Sequence, residues 1–202
     1  LERISGLIKA INGRASYLAL LLENPGILDH LVKLSSASSL IAAFLAHHPV
    51  LLDELLDPRT LYAPPNKKEL EQELRLRFEQ MPDDLEYQME VLRIFKQVNV
   101  LRVAAADVTE VLPLMRVSDH LSDIATIVIE KVLELTWHHL VAKHGRPPGT
   151  VNDASDGRGF AVVAYGKLGG RELGYGSDLD LVFLHDTNAR HLFDRPRRLF
   201  SS

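Results

Sequence analysis

Asp178 and Asp180 stand one residue apart in "YGSDLDLVFLHD" (175–186), directly behind Gly176 and Ser177. In a strand, residues i and i+2 share a face, so the two carboxylates project together while Leu179 and Leu181 turn the other way, into a core. Two carboxylates side by side repel, and burying them unpaired is costly. A divalent cation removes both problems. Hard oxygen ligands at this spacing suit Mg²⁺, which keeps several waters and shares its remaining positions with substrate phosphates. Carboxylates on one strand face can also bridge two such ions about 3.5–4 Å apart, the arrangement that supports in-line phosphoryl or nucleotidyl transfer.

The neighbouring residues extend this chemistry. Gly176 lets the backbone approach a ligand closely, and Ser177 offers a hydroxyl and an amide to phosphate oxygens. Upstream, "GKLGGRELGYGS" (166–177) places Gly169 and Gly170 where a short helical turn is expected to start, presenting further amides. Lys167 and Arg171 flank that double glycine and could meet phosphate charge, a solvated turn being the competing reading. An Asp-x-Asp by itself often only ends a strand or caps a turn. With Gly-Ser before it, apolar residues at the alternate positions and a glycine-rich connection upstream, it reads as a triphosphate cradle beside a metal site. The connection lacks the Gly-Lys-Ser/Thr ending of a Walker loop, and it is not a dinucleotide fingerprint.

The elements that must position these residues change character near residue 159. Up to about 144 the pattern is helical almost throughout. Ile4, Leu7, Ile8, Ile11, Ala15, Leu18 and Leu22 recur at three- and four-residue steps, and Asn24-Pro25 then gives a cap followed by proline at a first helical position. Further helices are expected at about 26–34, 38–47, 49–56 and 66–80. Asp83, with Glu86 three residues on, predicts a capping box opening a helix of some 25 residues, on which Arg93, Lys96 and Arg102 read as a solvent face. Ser118 is the expected cap of a helix over about 119–143 whose apolar residues spread over more than one face, as in a helix covered on two sides. "HGRPPGTVNDASDGRG" (144–159) reads as a loop, and "FAVVAY" (160–165) and "DLDLVFLH" (178–185) as two adjacent strands of one sheet, with the 119–143 helix packed on it.

Composition narrows the function classes. The net charge of −4 gives no global basic field for nucleic acid. Apolar runs such as "LIAAFLA" (40–46) fall far short of the roughly 20 residues that span a bilayer, so no membrane partner is expected. The absence of cysteine excludes disulfides and thiolate metal sites and fits a reducing cytoplasm. Among nine histidines, the pairs His47-His48 and His138-His139 lack the i, i+4 spacing of a helical metal site. The chain opens on Leu1 and stops soon after its most distinctive motif, which reads as a fragment.

Gly-Ser followed by Asp-x-Asp resembles the signature of the DNA polymerase beta-type nucleotidyltransferases. The longer string "GFAVVAYGKLGGRELGYGSDLDLVFLHD" (159–186) resembles one family in particular, the bacterial glutamine synthetase adenylyltransferase/adenylyl-removing enzymes. "HHPVLLDELLD" (47–57), "FKQVNVLRVAAADV" (95–108) and "VSDHLSD" (117–123) are similar to that family's linking helices and the lead-in to its C-terminal transferase half. The resemblance implies a helical linking domain over 1–115 and the first part of an α/β nucleotidyltransferase domain over 116–202. It implies Gly176 and Ser177 on the triphosphate of ATP, Asp178 and Asp180 on Mg²⁺, and AMP transfer to a tyrosine of glutamine synthetase, with a PII-type nitrogen regulatory protein as a further partner. Phosphorolytic removal of AMP by a similar site is the rival enzymatic reading, and a non-catalytic helical interaction module is the other. The family also uses a third carboxylate on a later strand. None is evident between 187 and 202, so poor turnover is expected of this chain alone.

Overall fold

A computed structural model describes residues 15–79, 83–146 and 159–185. The described chain is mostly helical and ends in one two-stranded antiparallel sheet. The part of the expected first helix before residue 15, most of the 144–159 loop, and the arginine-bearing stretch that follows His185 lie outside the described residues.

The first group of helices is α1 (Ala15–Glu23), α2 (Pro25–Ala37), α3 (Ser39–His47), a 3-10 helix over Pro49–Leu56, and α4 (Pro58–Leu61). Their breaks follow local chemistry. Pro25, Pro49 and Pro58 open elements where a missing N–H costs nothing. Ser38 accepts from the Ile41 amide at 3.3 Å, and Asp57 from the Arg59 amide at 3.0 Å. Asn24 departs from the expected cap: its side-chain amide donates back to the Leu20 carbonyl at 3.0 Å. Ile27, Leu31, Leu34, Leu45, Leu51 and Leu61 close one core against Val98, Leu101, Ala104 and Ala105 of the long helix α6.

After α5 (Lys67–Glu79), α6 (Leu85–Val108) and α7 (Leu114–His144) lie packed along one another. The cap of α6 is Asp84, whose carboxylate accepts from the Glu86 and Tyr87 amides at 3.0 and 3.2 Å, one residue later than expected. Two adjacent aspartates both suit that role, and sequence alone does not rank them. Helix α7 begins directly behind Pro113 rather than at Ser118: the Pro113 carbonyl already accepts from the Arg116 and Val117 amides, so Leu114 to Val117 form its first turn. Leu70, Leu74, Leu92, Phe95, Val103, Leu121, Ile124 and Ile127 form a second core shared by α5, α6 and α7. The boundary expected at 115/116 falls inside the first turn of α7, a helix of that shared core.

A second departure is Arg102. Expected on a solvent face, its side chain is 13% exposed and meets Glu54 at 2.9 Å, Glu73 at 3.2 Å and Asn99 at 3.3 Å. This ties the 3-10 helix, α5 and α6 together. Arg93 and Lys96 do face solvent, Arg93 pairing with Glu90 one turn back.

Strands β1 (Phe160–Tyr165) and β2 (Asp180–His185) pair antiparallel, with Phe160 opposite His185 and Tyr165 opposite Asp180. The helix α8 (Gly166–Gly169) and an irregular run connect them. The expected packing of the long helix on the sheet is realised at one end only. Leu168, Leu173 and the start of β2 at Leu181 join the second core, while Val182, Phe183 and Leu184 remain exposed.

Candidate functional site

The strand bearing the acidic pair begins at Asp180, so Asp178 precedes it. The reason lies across the sheet. β1 ends at Tyr165, opposite Asp180, and Gly166 then turns the chain away with φ at 54°, leaving no backbone for residue 178 to pair with. Leu179, expected inward, is 42% exposed. Both aspartates are exposed as well. The repulsion between them is thus screened by water and carries little of the burial cost expected on a fully paired strand.

Asp180 is seated by Gly166. A Cβ at residue 166 would lie 2.2 Å from Asp180 Oδ2, inside any real contact distance, so the carboxylate occupies the space a side chain would fill. Gly169 is needed for a different close approach, its would-be Cβ falling 2.6 Å from the Ala164 carbonyl oxygen. Gly169 and Gly170 stand at the end of α8 rather than its start. The Gly170 amide already donates to the Gly166 carbonyl at 3.0 Å, which corrects the expectation of a free amide there. Lys167 is exposed on α8.

Residues 174–177 close a tight turn from both ends. The Ser177 amide donates to the Gly174 carbonyl at 3.1 Å, and the Gly174 amide donates to Ser177 Oγ at 3.0 Å. Ser177 Oγ thus accepts within the turn without committing its hydroxyl hydrogen to it, while its amide serves the turn. At Gly176 the situation is reversed from Gly166: a Cβ there would meet nothing within 4 Å, and the backbone needs no positive φ. The fold among the described residues gives no reason for a glycine at 176.

Two anchors hold this region on the helices, and the sequence pattern did not single out either pair. The Tyr175 hydroxyl donates to Asp107 Oδ2 of α6 at 2.9 Å. Burial first, then that hydrogen bond and the Asp107 charge, push the Tyr175 phenol above the usual tyrosine range. Arg171, with φ at 57°, reaches Asp123 Oδ1 at 3.0 Å and Asp119 Oδ1 at 3.6 Å on α7. The Asp123 hydrogen bond raises the Arg171 pKa further. Arg171, its side chain still about half exposed, thus ties this run to α7. A signal for the first anchor was present: Asp107 follows the apolar run "VAAA" on a buried helix, where a lone carboxylate needs a donor.

The donor set fits Mg²⁺ in kind. Asp178 and Asp180 are hard oxygen ligands, and no cluster of three or more metal-binding side chains occurs among the described residues. Two carboxylates leave coordination positions for water and phosphate.

Comparison with known proteins bears on what this arrangement serves. A family model described as "Glutamate-ammonia ligase adenylyltransferase" matches residues 28–197, the greater part of the chain and all of the site. The chain belongs to that family. Relatives named bifunctional glutamine synthetase adenylyltransferase/adenylyl-removing enzyme agree in sequence. The one from Nitrosococcus oceani is 55% identical over 92% of this chain and 19% of its own length. That from Thioalkalivibrio sulfidiphilus is 54% identical over 93% of the chain and 19% of its own length. That from Idiomarina loihiensis is 52% identical over 98% and 21%. The chain thus spans about a fifth of the length of these relatives.

Proposed function

We propose that this chain carries the phosphate- and metal-binding turn of a nucleotidyl-transfer site that moves AMP from Mg-ATP to a tyrosine of glutamine synthetase, with release of pyrophosphate. The observation that carries the reading is the pairing of two solvent-open aspartates with a glycine for which the described residues give no structural need. Among the described residues Gly176 has neither a positive φ nor a neighbour that excludes a side chain, so its lack of Cβ fits something that approaches from outside. Ser177 stands beside it with a hydroxyl hydrogen to give, and Asp178 and Asp180 follow. A polyphosphate with a divalent cation satisfies all four.

In this reading Asp178 and Asp180 hold Mg²⁺, which supplies charge neutralisation at the transferring phosphate. Ser177 donates to a phosphate oxygen, Gly176 lets the backbone come close, and the exposed Lys167 offers a further positive charge. The helical part fixes the turn against α6 and α7. The α/β nucleotidyltransferase architecture, the third carboxylate, the regulatory PII-type partner and a cytoplasmic location belong to the same proposal. The family and the names of the relatives support the transfer of AMP to glutamine synthetase.

The test is transfer of label from α-labelled ATP to glutamine synthetase by the full-length protein with Mg²⁺. Label on a tyrosine, with pyrophosphate released in equal amount, is the expected result. Phosphate-dependent loss of label from pre-adenylylated glutamine synthetase, without transfer, would instead assign the site to AMP removal.

A further inference from the structure

We infer that Tyr175 is a positioning residue of this site: its hydroxyl, held by Asp107 on α6, fixes the 174–177 turn that delivers Ser177 to the substrate phosphates and Asp178 to their divalent cation. The inference rests on the nucleotidyl-transfer reading and adds a residue to it.

The geometry is that of a short lever with one pin. Tyr175 is the second residue of a turn closed by two hydrogen bonds, at 3.1 and 3.0 Å, between Gly174 and Ser177. A turn closed that way moves as a unit, so fixing Tyr175 fixes Ser177, and Asp178 is the next residue. The pin is long-range. Tyr175 lies 68 residues from Asp107 in sequence and packs at the edge of both cores, bringing its 2.9 Å hydrogen bond to the point where the two helical groups meet. Upstream, Leu173 is buried in the second core, but within the turn and just after it little else among the described residues holds the chain: Gly174 and Gly176 carry no side chains, and Asp178 and Leu179 are exposed. The phenol, raised in pKa by burial and by Asp107, stays a donor at physiological pH. The other anchor, Arg171 on Asp119 and Asp123, holds the upstream end of the same run on α7. The turn is thus registered to two helices, and a small shift at Tyr175 passes to the phosphate-binding residues. Misplacing a reacting group by about 1 Å can cost as much as a hundredfold in rate.

The experiment compares Tyr175→Phe, Asp107→Ala and Asp107→Asn in the full-length protein. Asparagine keeps an acceptor oxygen for the tyrosine hydroxyl, and alanine does not. Tyr175→Phe and Asp107→Ala should each lower kcat for AMP transfer at least fivefold, with KM for ATP changing less than twofold. Asp107→Asn should stay within twofold of the parent. The double variant Tyr175→Phe/Asp107→Ala should be no slower than the slower single variant, as for two residues acting through one bond. Amide hydrogen exchange gives a readout independent of activity. The Ser177 amide should exchange at least tenfold faster in Tyr175→Phe while the α6 and α7 amides hold their rates. Parental kcat in Tyr175→Phe, or an unchanged Ser177 amide, overturns the inference. An Asp180→Asn control separates the two readings. If that control still transfers AMP at the parental rate, the site assignment falls, and exchange at Ser177 alone then decides whether Tyr175 holds the turn.

Discussion

The Asp180 carboxylate rests in the space of a missing side chain at Gly166, with Oδ2 2.2 Å from where a Cβ would stand. One residue thereby ends β1, turns the chain at φ 54°, and seats a carboxylate of the site. Gly166→Ala should act at both levels. An L-residue at that φ costs about 1–2 kcal/mol. The overlap falls on the far end of a flexible side chain, so the carboxylate moves rather than the fold. Thermal melting should show the modest loss, and AMP transfer per folded molecule should fall at least tenfold. Gly176→Ala is the contrast. With open space around it, the protein should melt near the parental temperature, and any loss should appear in ATP binding.

Arg102 yields a prediction about the helical scaffold. Its guanidinium bridges Glu54, Glu73 and Asn99 with its side chain 13% exposed. Removing one partner of a buried ion pair costs about 3–5 kcal/mol, and the partial exposure of the two glutamates reduces this. Arg102→Met should therefore cost about 2–3 kcal/mol by urea denaturation. Arg102→Lys should cost less, since it keeps the charge but not the planar fork that reaches three acceptors. Equal stability of parent and Arg102→Met would show that the network contributes nothing net.

What the sequence made legible here divides along chemical lines. The helical periods, the proline opening at Pro25 and the two strands are local signals, and among the described residues each lies within a few residues of its expected place, whereas Pro58 opens a short helix the sequence does not mark. The Gly-Ser-Asp-x-Asp string stands out not by its residue types, which have other uses, but by their combination with apolar residues at the alternate positions. The long-range pairs were not. Nothing in the spacing of Tyr175, Asp107, Arg171, Asp119 and Asp123 says which faces which, because that depends on how α6 and α7 pack. The strand start at Asp180 was missed for a related reason: its limit is set by where β1 ends, not by the alternation within "DLDLVFLH". Arg102 was placed on the solvent face because a single helix pattern does not show that α5 and the 3-10 helix cover it.

Stability should depend on pH through His48. Burial first, then the positive fields of Arg93, His47 and Lys96, lower its pKa from 6.5. The unfolded chain then binds more protons than the folded one in the window below pH 6.5, so stability rises with pH there. The contribution is fully present above about pH 6.5 and is lost as pH falls from there through the lower folded value. His48→Gln removes the titration. Urea midpoints at pH 7.5 and 5.5 should differ less for His48→Gln than for the parent. An unchanged difference would place the acid sensitivity elsewhere.

The two aspartates decide between a ligand site and a strand entrance. If they hold Mg²⁺, Asp178→Asn or Asp180→Asn keeps size and polarity but removes a negative ligand, and AMP transfer should fall by at least the roughly hundredfold typical of losing a key electrostatic group. Both side chains are exposed, so folding should change little, and without metal it should improve slightly as the like-charge pair is relieved. A purely structural role predicts the opposite pattern, with stability lost and activity per folded molecule kept. Asp180 makes the sharper test, because Gly166 gives its carboxylate a fixed seat. Melting temperature measured in EDTA and again with Mg²⁺ adds a readout apart from catalysis: added Mg²⁺ should raise it in the parent and less in either variant. A variant that melts early, responds to Mg²⁺ as the parent does and transfers AMP at the parental rate would end the metal-site reading.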